Sequence, residues 1–272
     1  MDADGVDDES AGARRVSGIC QERDGLGQEG GGRWRRLLLI LTLVAVGVAG
    51  VVVLHPLNSL LIRLALLGCV AGSWMGMVVL GWRWRWWRVG LLVLPVVAMV
   101  PVMLPGGEID GEELRADYVR RLGVFEGTRY YWGGESARGI DCSGLPRRAM
   151  RDALLAYGLR HGNGRAIREW VGQWWFDASA RALAEGYRGY TVPVGMAGTI
   201  REMDYGKLRP GDLAVTASGV HILAYAGGGR WIQADPGMGR VVTLDGRADA
   251  NGWFLSMVTV HRWRVVAEGW GP

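Results

Sequence analysis

The chain has 272 residues, a formal net charge of +4 and 49% apolar residues. The charge is small and the C-terminal part is near balance, with no basic stripe, which excludes a nucleic-acid-binding protein on electrostatic grounds. Three cysteines exclude a disulfide framework, and a mean hydropathy of +0.10 in so glycine-rich a chain points to a local apolar block.

Residues 1–32 are glycine-rich and charged and read as a disordered cytoplasmic tail. Cys20 has no apolar run before it, so it is not a lipoprotein site. Residues 33–105 read as a membrane anchor with three spans. The run 37–54 is unbroken, 59–80 follows the break His55-Pro-Leu-Asn58, and 89–105 contains Pro95 and Pro101. Each is near the roughly 20 apolar residues that a bilayer core needs. The arginine clusters at 33–36 and 83–88 flank the first two spans, and the loop between those spans has neither Arg nor Lys. The positive-inside rule therefore puts both clusters in the cytoplasm and everything after residue 106 in the periplasm or outside the cell. Trp82, Trp84, Trp86 and Trp87 sit where an interfacial belt belongs. Arg63, near the outer end of the second run, can snorkel and carries no assigned function. The first apolar run starts late and is long, so the reading is a signal anchor rather than a cleavable signal peptide.

Residues 106–272 are long enough for a core of their own. Residues 110–122 suit a helix with Leu114, Tyr118 and Leu122 on one face. A Gly-rich turn follows, then Cys142, then a helix over about 143–157 and another over 166–185. Strand patterns follow at 212–217, 221–226, 230–234, 240–244 and 254–263. Helices first and strands later indicate an α+β domain with an antiparallel sheet.

Cys142 stands at or just before a helix start, in "GIDCSGL". Helix N-terminal amides favour an anion, and such settings lower a thiol pKa from ~8.5 to roughly 3.5–7.5. The same amides can hold an oxyanion. A thiol nucleophile needs a base. His55 falls in the outer membrane loop, His161 in a polar turn and His261 on the last strand. His221 opens "HILAYAGGGRWIQAD", which reads as a tight hairpin. With Gly227–Gly229 as the loop, 223 faces 233 and 221 faces 235. His221 and Gln233 then become diagonal neighbours on one face, about 7–8 Å apart at the backbone. No metal-ligand cluster is present, so no metal or cofactor is expected.

"GTRYYWGG…GIDCSGL", "LRPGDLAV" and "HILAYAGGGRWIQA" together resemble the NlpC-type cell-wall endopeptidases, the bacterial papain-like peptidases, over about residues 110–265. The resemblance implies a papain-like domain with helices on one side of the sheet, and a thiol peptidase that hydrolyses peptidoglycan stem peptides after D-glutamate and before the diamino acid. It implies Cys142 as nucleophile, His221 as base, Gln233 as the residue that orients His221, and Tyr130 at the oxyanion site. Asp141 and Ser143 either contact substrate, as the resemblance implies, or cap the helix. Three departures stand out. Gln233 occupies a position that is often His in the family. Pro146 lies inside the helix and is compatible with it if the helix starts at Gly144 with Ser143 as cap. The 150–210 segment is long and contains Trp170, Trp174 and Trp175, which read as packing residues, with a substrate wall as the alternative. The expected function is thus a membrane-anchored cysteine endopeptidase. An acyltransferase or other amidase using the same Cys–His pair, or a silent tethered binding module, are the rival readings.

Overall fold

The computed structural model describes residues 32–267. The tail assigned from composition, with Cys20, lies outside the described residues apart from Gly32. The chain forms two compact units. One takes the described residues up to Gly50 together with Leu66–Val93; the other takes Val51–Ala65 and the described residues from Leu94 onward.

Three helices are long and apolar enough to cross a membrane: α1 (Gly32–Leu54), α2 (Leu60–Leu80) and α3 (Arg85–Met103). Their bounds follow the three apolar runs closely. Within the first unit Thr42 of α1 sits against Gly76 of α2, where any side chain would collide with the threonine hydroxyl. Small residues of this kind let helices approach without a water-driven force between them.

In the second unit, α4 (Gly111–Val124) begins at Asp110, whose carboxylate accepts from the Glu112 and Glu113 amides. Its Leu114, Tyr118 and Leu122 are all fully buried, as the periodicity requires. Then come the two-residue strands β1 (Glu135–Ser136) and β2 (Gly139–Ile140), α5 (Gly144–His161), α6 (Gly164–Trp175) and α7 (Ala180–Ala184). The helix expected over 166–185 is two helices. The Trp175 and Ala178 carbonyls and the Asp177 side chain are taken by Arg63 and Arg147. The first helix ends at Phe176, whose backbone is extended, and the second starts afresh under a Ser179 cap.

The sheet is six-stranded and wholly antiparallel, in the order β3-β8-β4-β5-β6-β7. Its strands are β3 (Thr191–Thr199), β4 (Leu213–Thr216), β5 (Ile222–Gly227), β6 (Arg230–Asp235), β7 (Arg240–Asp245) and β8 (Met257–Trp263). The sequence reading has no β3. That strand carries Pro193 and two glycines and has an irregular register against β8, and it lies at an edge, where proline is tolerated. The start of the strand expected over 254–263 is instead a short 3-10 helix, Gly252–Leu255, capped by Asn251.

Alternating residues of the sheet feed two cores. Leu213, Val215, Ile222, Ala224 and Ile232 pack with α4, α5 and α7. Ala214, Leu223, Tyr225 and Trp231 pack on the other face under Ile200, Met203 and Phe254, which belong to short irregular segments. The longer helices thus lie on one side, as the resemblance implies. Leu154 on α5 has no exposed surface. Replacing it by Ala should cost about 2–5 kcal/mol, the range for deleting a buried leucine side chain. Chemical unfolding of the full-length chain in detergent is the measurement; a loss under about 1 kcal/mol would contradict the packing described.

Candidate active site

The Gly-rich turn before Cys142 is a close-packed backbone knot. Gly133 adopts φ +72, a left-handed conformation open to glycine at little cost. A Cβ on Gly134 would lie 2.5 Å from the Gly139 carbonyl oxygen. The Gly134 carbonyl accepts from the Asp141 amide at 3.0 Å. The Gly-Gly pair therefore lets the chain fold back so that Asp141 arrives beside the turn.

Asp141 holds the site. One carboxylate oxygen accepts from the Gly144 amide at 2.6 Å and from the Ser143 hydroxyl at 3.0 Å. The other accepts from the Gly133 amide at 2.8 Å. Helix α5 does start at Gly144, so Pro146 sits in the first turn, where its missing amide costs no helical bond. The cap, however, is Asp141. Ser143 occupies the N-cap position but makes no side-chain cap bond, because its hydroxyl is committed to Asp141. Both residues also line the cleft described below.

Cys142 is 7% exposed, and its Sγ lies 3.8 Å from the Val220 carbonyl oxygen. The nearby amides of Ile222, Ser143 and Cys142 itself favour its anion. The thiol is thus bracketed by the residues on either side of His221, while its contact goes to the Val220 carbonyl rather than to the ring. Burial, followed by the charge of Asp141, pushes the thiol up to about 12. This reverses the expected depression. The helix amides act as foreseen, but desolvation of a nearly closed thiol outweighs them.

His221 is 1% exposed, and its Nε2 is 2.6 Å from Gln233 Oε1. The amide oxygen can only accept, so the ring donates Nε2–H and keeps a lone pair on Nδ1. The hairpin register that predicted this pairing is the one observed: Ala224 opposes Ile232 and Tyr225 opposes Trp231, and the bulge falls beyond Tyr225. Burial lowers the His221 pKa, with Gln233 and then Asp235 opposing it. Trp253 stacks on the imidazole, with centroids 4.1 Å apart and planes 17° from parallel. Sequence reasoning missed Trp253, which lies just before the expected strand 254–263, in a 3-10 helix that was not foreseen. It also missed Asp235, which accepts from Asn251 and from the turn amides of Gly237 and Met238. The alternation of β6 was the available signal, since Asp235 follows Gln233 on the same face.

Tyr130 is partly buried beside this group. Burial, then the neighbouring Cys142 and Asp141, pushes its hydroxyl up to about 12, so the phenol stays protonated and able to donate. A cleft of about 880 Å³ opens over the thiol, with Asn58, Trp132, Arg147, Asp177 and Val220 among its walls. His221 and Gln233 are buried and do not line it. Trp170, Trp174 and Trp175 do not line it either, and Trp170 packs against the core. Among the described residues, no group of three or more His, Cys, Asp or Glu side chains is placed to hold a metal ion.

Residues 127–260 match the NlpC/P60 family model. No curated protein matches the chain. Among solved structures, the chain is similar to an NlpC/P60 family protein from Bacillus cereus, with 17% identity, TM-score 0.35, and coverage of 55% of this chain and 40% of that one. The peptidoglycan hydrolase RipB from Mycobacterium tuberculosis has 18% identity, TM-score 0.35, and coverage of 75% and 90%. The P60 domain of an antigen from M. avium subspecies paratuberculosis has 19% identity, TM-score 0.33, and coverage of 56% and 96%. The chain thus spans less than half of the Bacillus cereus protein and most of the two mycobacterial ones.

The Asp141 charge is a named cause of the raised thiol pKa. Asp141→Asn should therefore make Cys142 react faster with iodoacetamide at pH 8. The same change leaves one amide short of an acceptor, which should cost about 0.5–2 kcal/mol of stability, as for lost caps. Site-resolved mass spectrometry of the alkylated, folded protein reads the rate; slower labelling would contradict the electrostatics described.

Proposed function

Starting from the NlpC/P60 family domain that residues 127–260 form, we propose that the chain is a cysteine-type hydrolase of amide bonds in peptidoglycan stem peptides. The observation that carries this reading is a buried thiol at the start of α5 packed against the residue pair that flanks His221, with His221 held by Gln233. Within that reading the bond cut is the D-glutamyl–diamino acid bond.

The resting pair is neutral: a thiol whose pKa is raised and an imidazole whose pKa is lowered. When a peptide carbonyl enters the cleft, the Cys142 proton passes to His221 Nδ1 as the Sγ–C bond forms. The Nε2–H bond to Gln233 fixes the tautomer that leaves Nδ1 free to accept and stabilises the imidazolium. The developing oxyanion is met by the backbone amides of Cys142 and Ser143, which already favour negative charge at the sulfur, and by the Tyr130 hydroxyl. His221 then gives its proton to the leaving amine, and the C–N bond breaks. Water, deprotonated by His221, hydrolyses the thioester and restores the thiol.

Asp141 and Ser143 act chiefly by holding the helix start, and their position in the cleft wall also lets them meet substrate. The proposed setting is the cytoplasmic membrane. Helices α1–α3 would span it, and the arginine clusters around α1 and α2 favour a catalytic unit outside the cytoplasm.

Digestion of purified muropeptides by wild type and by Cys142→Ala, followed by mass analysis of the products, tests the assignment. Cleavage by wild type alone is expected, and identical product patterns would refute it. His221→Ala should lose about 10²–10⁴-fold in kcat, the usual worth of a positioned base, and Gln233→Ala should lose less. The pH profile follows from the signs. Below its lowered pKa His221 is protonated and cannot accept the thiol proton, so kcat/KM should rise through an apparent pKa below 6.5, the ordinary value for histidine. The thiol stays protonated far above that, so a plateau should extend through pH 9. An alkaline fall near pH 8 would instead indicate a preformed ion pair.

A further inference from the structure

The loop between the first two apolar helices belongs to the same compact unit as the catalytic residues. Its backbone pairs with the Gly-rich turn. The Glu135 amide donates to the Pro56 carbonyl at 3.0 Å, the Asn58 amide donates to the Gly133 carbonyl at 3.3 Å, and Leu57 opposes Gly134 as an antiparallel bridge. From the other side, Arg138 reaches the Leu54 carbonyl at 2.9 Å. The loop thus makes an isolated antiparallel bridge to the residue before β1.

Its side chains enter a buried ionic network. Glu135 is 4% exposed. One of its carboxylate oxygens takes both the Asn58 amide group and Arg151, the latter at 3.0 Å, and the other faces Arg147 at 3.1 Å. Arg147 and Arg151 are one helical turn apart on α5, so both present the same face to Glu135. Arg147 also bonds Asp177 and the Ala178 carbonyl. Arg63, 1% exposed, closes the circuit. Its Nε donates to Asn58 Oδ1 at 2.9 Å, its Nη2 to the Asn58 carbonyl at 2.8 Å, and its Nη1 to the Trp175 carbonyl, with Asp177 at 3.6 Å. Snorkelling is not what this side chain does: its fork of donors is spent on carbonyls and an amide within the unit.

Asn58, Glu135, Arg147 and Asp177 all line the cleft over Cys142. Two routes run from Asn58 to the nucleophile. One passes from Glu135 to its neighbour Gly134, whose carbonyl receives the amide of Asp141. The other passes from Glu135 to Arg147, five residues along from Cys142 at the start of its helix. A buried carboxylate or guanidinium is tolerated only while its partners stay in place.

We propose that residues 55–63, the loop and the first turn of α2, form a working wall of the substrate cleft, with Asn58 and Arg63 as positioning residues that set the cleft's width and the placement of Arg147 beside the thiol. This rests on the hydrolase reading above. The segment that joins two membrane-type helices is then part of the enzyme, and the peptidase is incomplete without it.

The test uses the full-length protein in detergent, with Asn58→Ala and Arg63→Met. KM and kcat are measured on a stem peptide. Cys142 alkylation is followed site by site with iodoacetamide and with a bulky maleimide, alongside thermal unfolding. Loss of one hydrogen-bonded wall contact should raise KM about five- to tenfold with kcat held within about twofold. The maleimide should react faster with both variants while the iodoacetamide rate is unchanged, because widening the cleft admits the larger reagent only. Should Arg63→Met fail to accumulate, Arg63→Lys keeps a charge near Asp177 but loses the fork on Asn58, and it is read the same way. Unchanged KM and unchanged maleimide rates in folded variants would overturn the proposal, as would losses that merely track a lowered melting temperature. A wild-type protein that is alkylated at Cys142 yet cleaves no stem peptide would sink the hydrolase reading instead, leaving the maleimide comparison to decide the wall.

Discussion

The Asp141 carboxylate is the point on which the site turns. It receives the Gly144 amide, the Ser143 hydroxyl and the Gly133 amide together, so the first turn of α5 and the Gly-rich turn cannot separate without breaking a charge-assisted bond. Cys142 lies between these anchors and inherits its position from them. The same carboxylate has an electrostatic cost: it adds a negative charge beside the sulfur and disfavours its anion. Position and polarity thus pull in opposite directions, and the balance is a protonated resting thiol.

The sheet supplies the other half. Its odd-numbered hairpin positions face the core without long helices, and His221, Gln233 and Asp235 follow that alternation. Trp253 covers the imidazole from the same side. The helix face and the histidine face meet only at the start of β5, where the chain around Val220 reaches Cys142. A buried, hydrogen-bonded and stacked imidazole has little freedom to turn. Rigid elements hold reacting groups in place better than loops do.

The hairpin shows how far local pattern can reach. Glycines at 227–229 and alternating residues on either side fix which positions oppose, and the observed pairs are those expected. Burial of Leu114, Tyr118 and Leu122 was legible for the same reason, since a helical period needs only its own residues. Legibility failed where distant groups decide. Strand β3 hides behind Pro193 and its glycines because its only partner is β8, far along the chain. Where α6 and α7 separate, Arg63 and Arg147 take up the Trp175 and Ala178 carbonyls. Ser143 looked like the cap by spacing, but a better acceptor two residues earlier was already aimed at the helix start.

Local sequence therefore determined the apolar helices, the hairpin register and the presence of a thiol, an imidazole and an amide suited to nucleophilic chemistry. It did so because periodicity, turn glycines and side-chain chemistry are properties of short stretches. Only the tertiary structure decided the protonation state of Cys142, the stacking of Trp253, the placement of Asn58 at the cleft and the bonding of Arg63 to it. Desolvation and long-range ion pairing depend on which surfaces meet, and a pattern of neighbours along the chain carries no record of that.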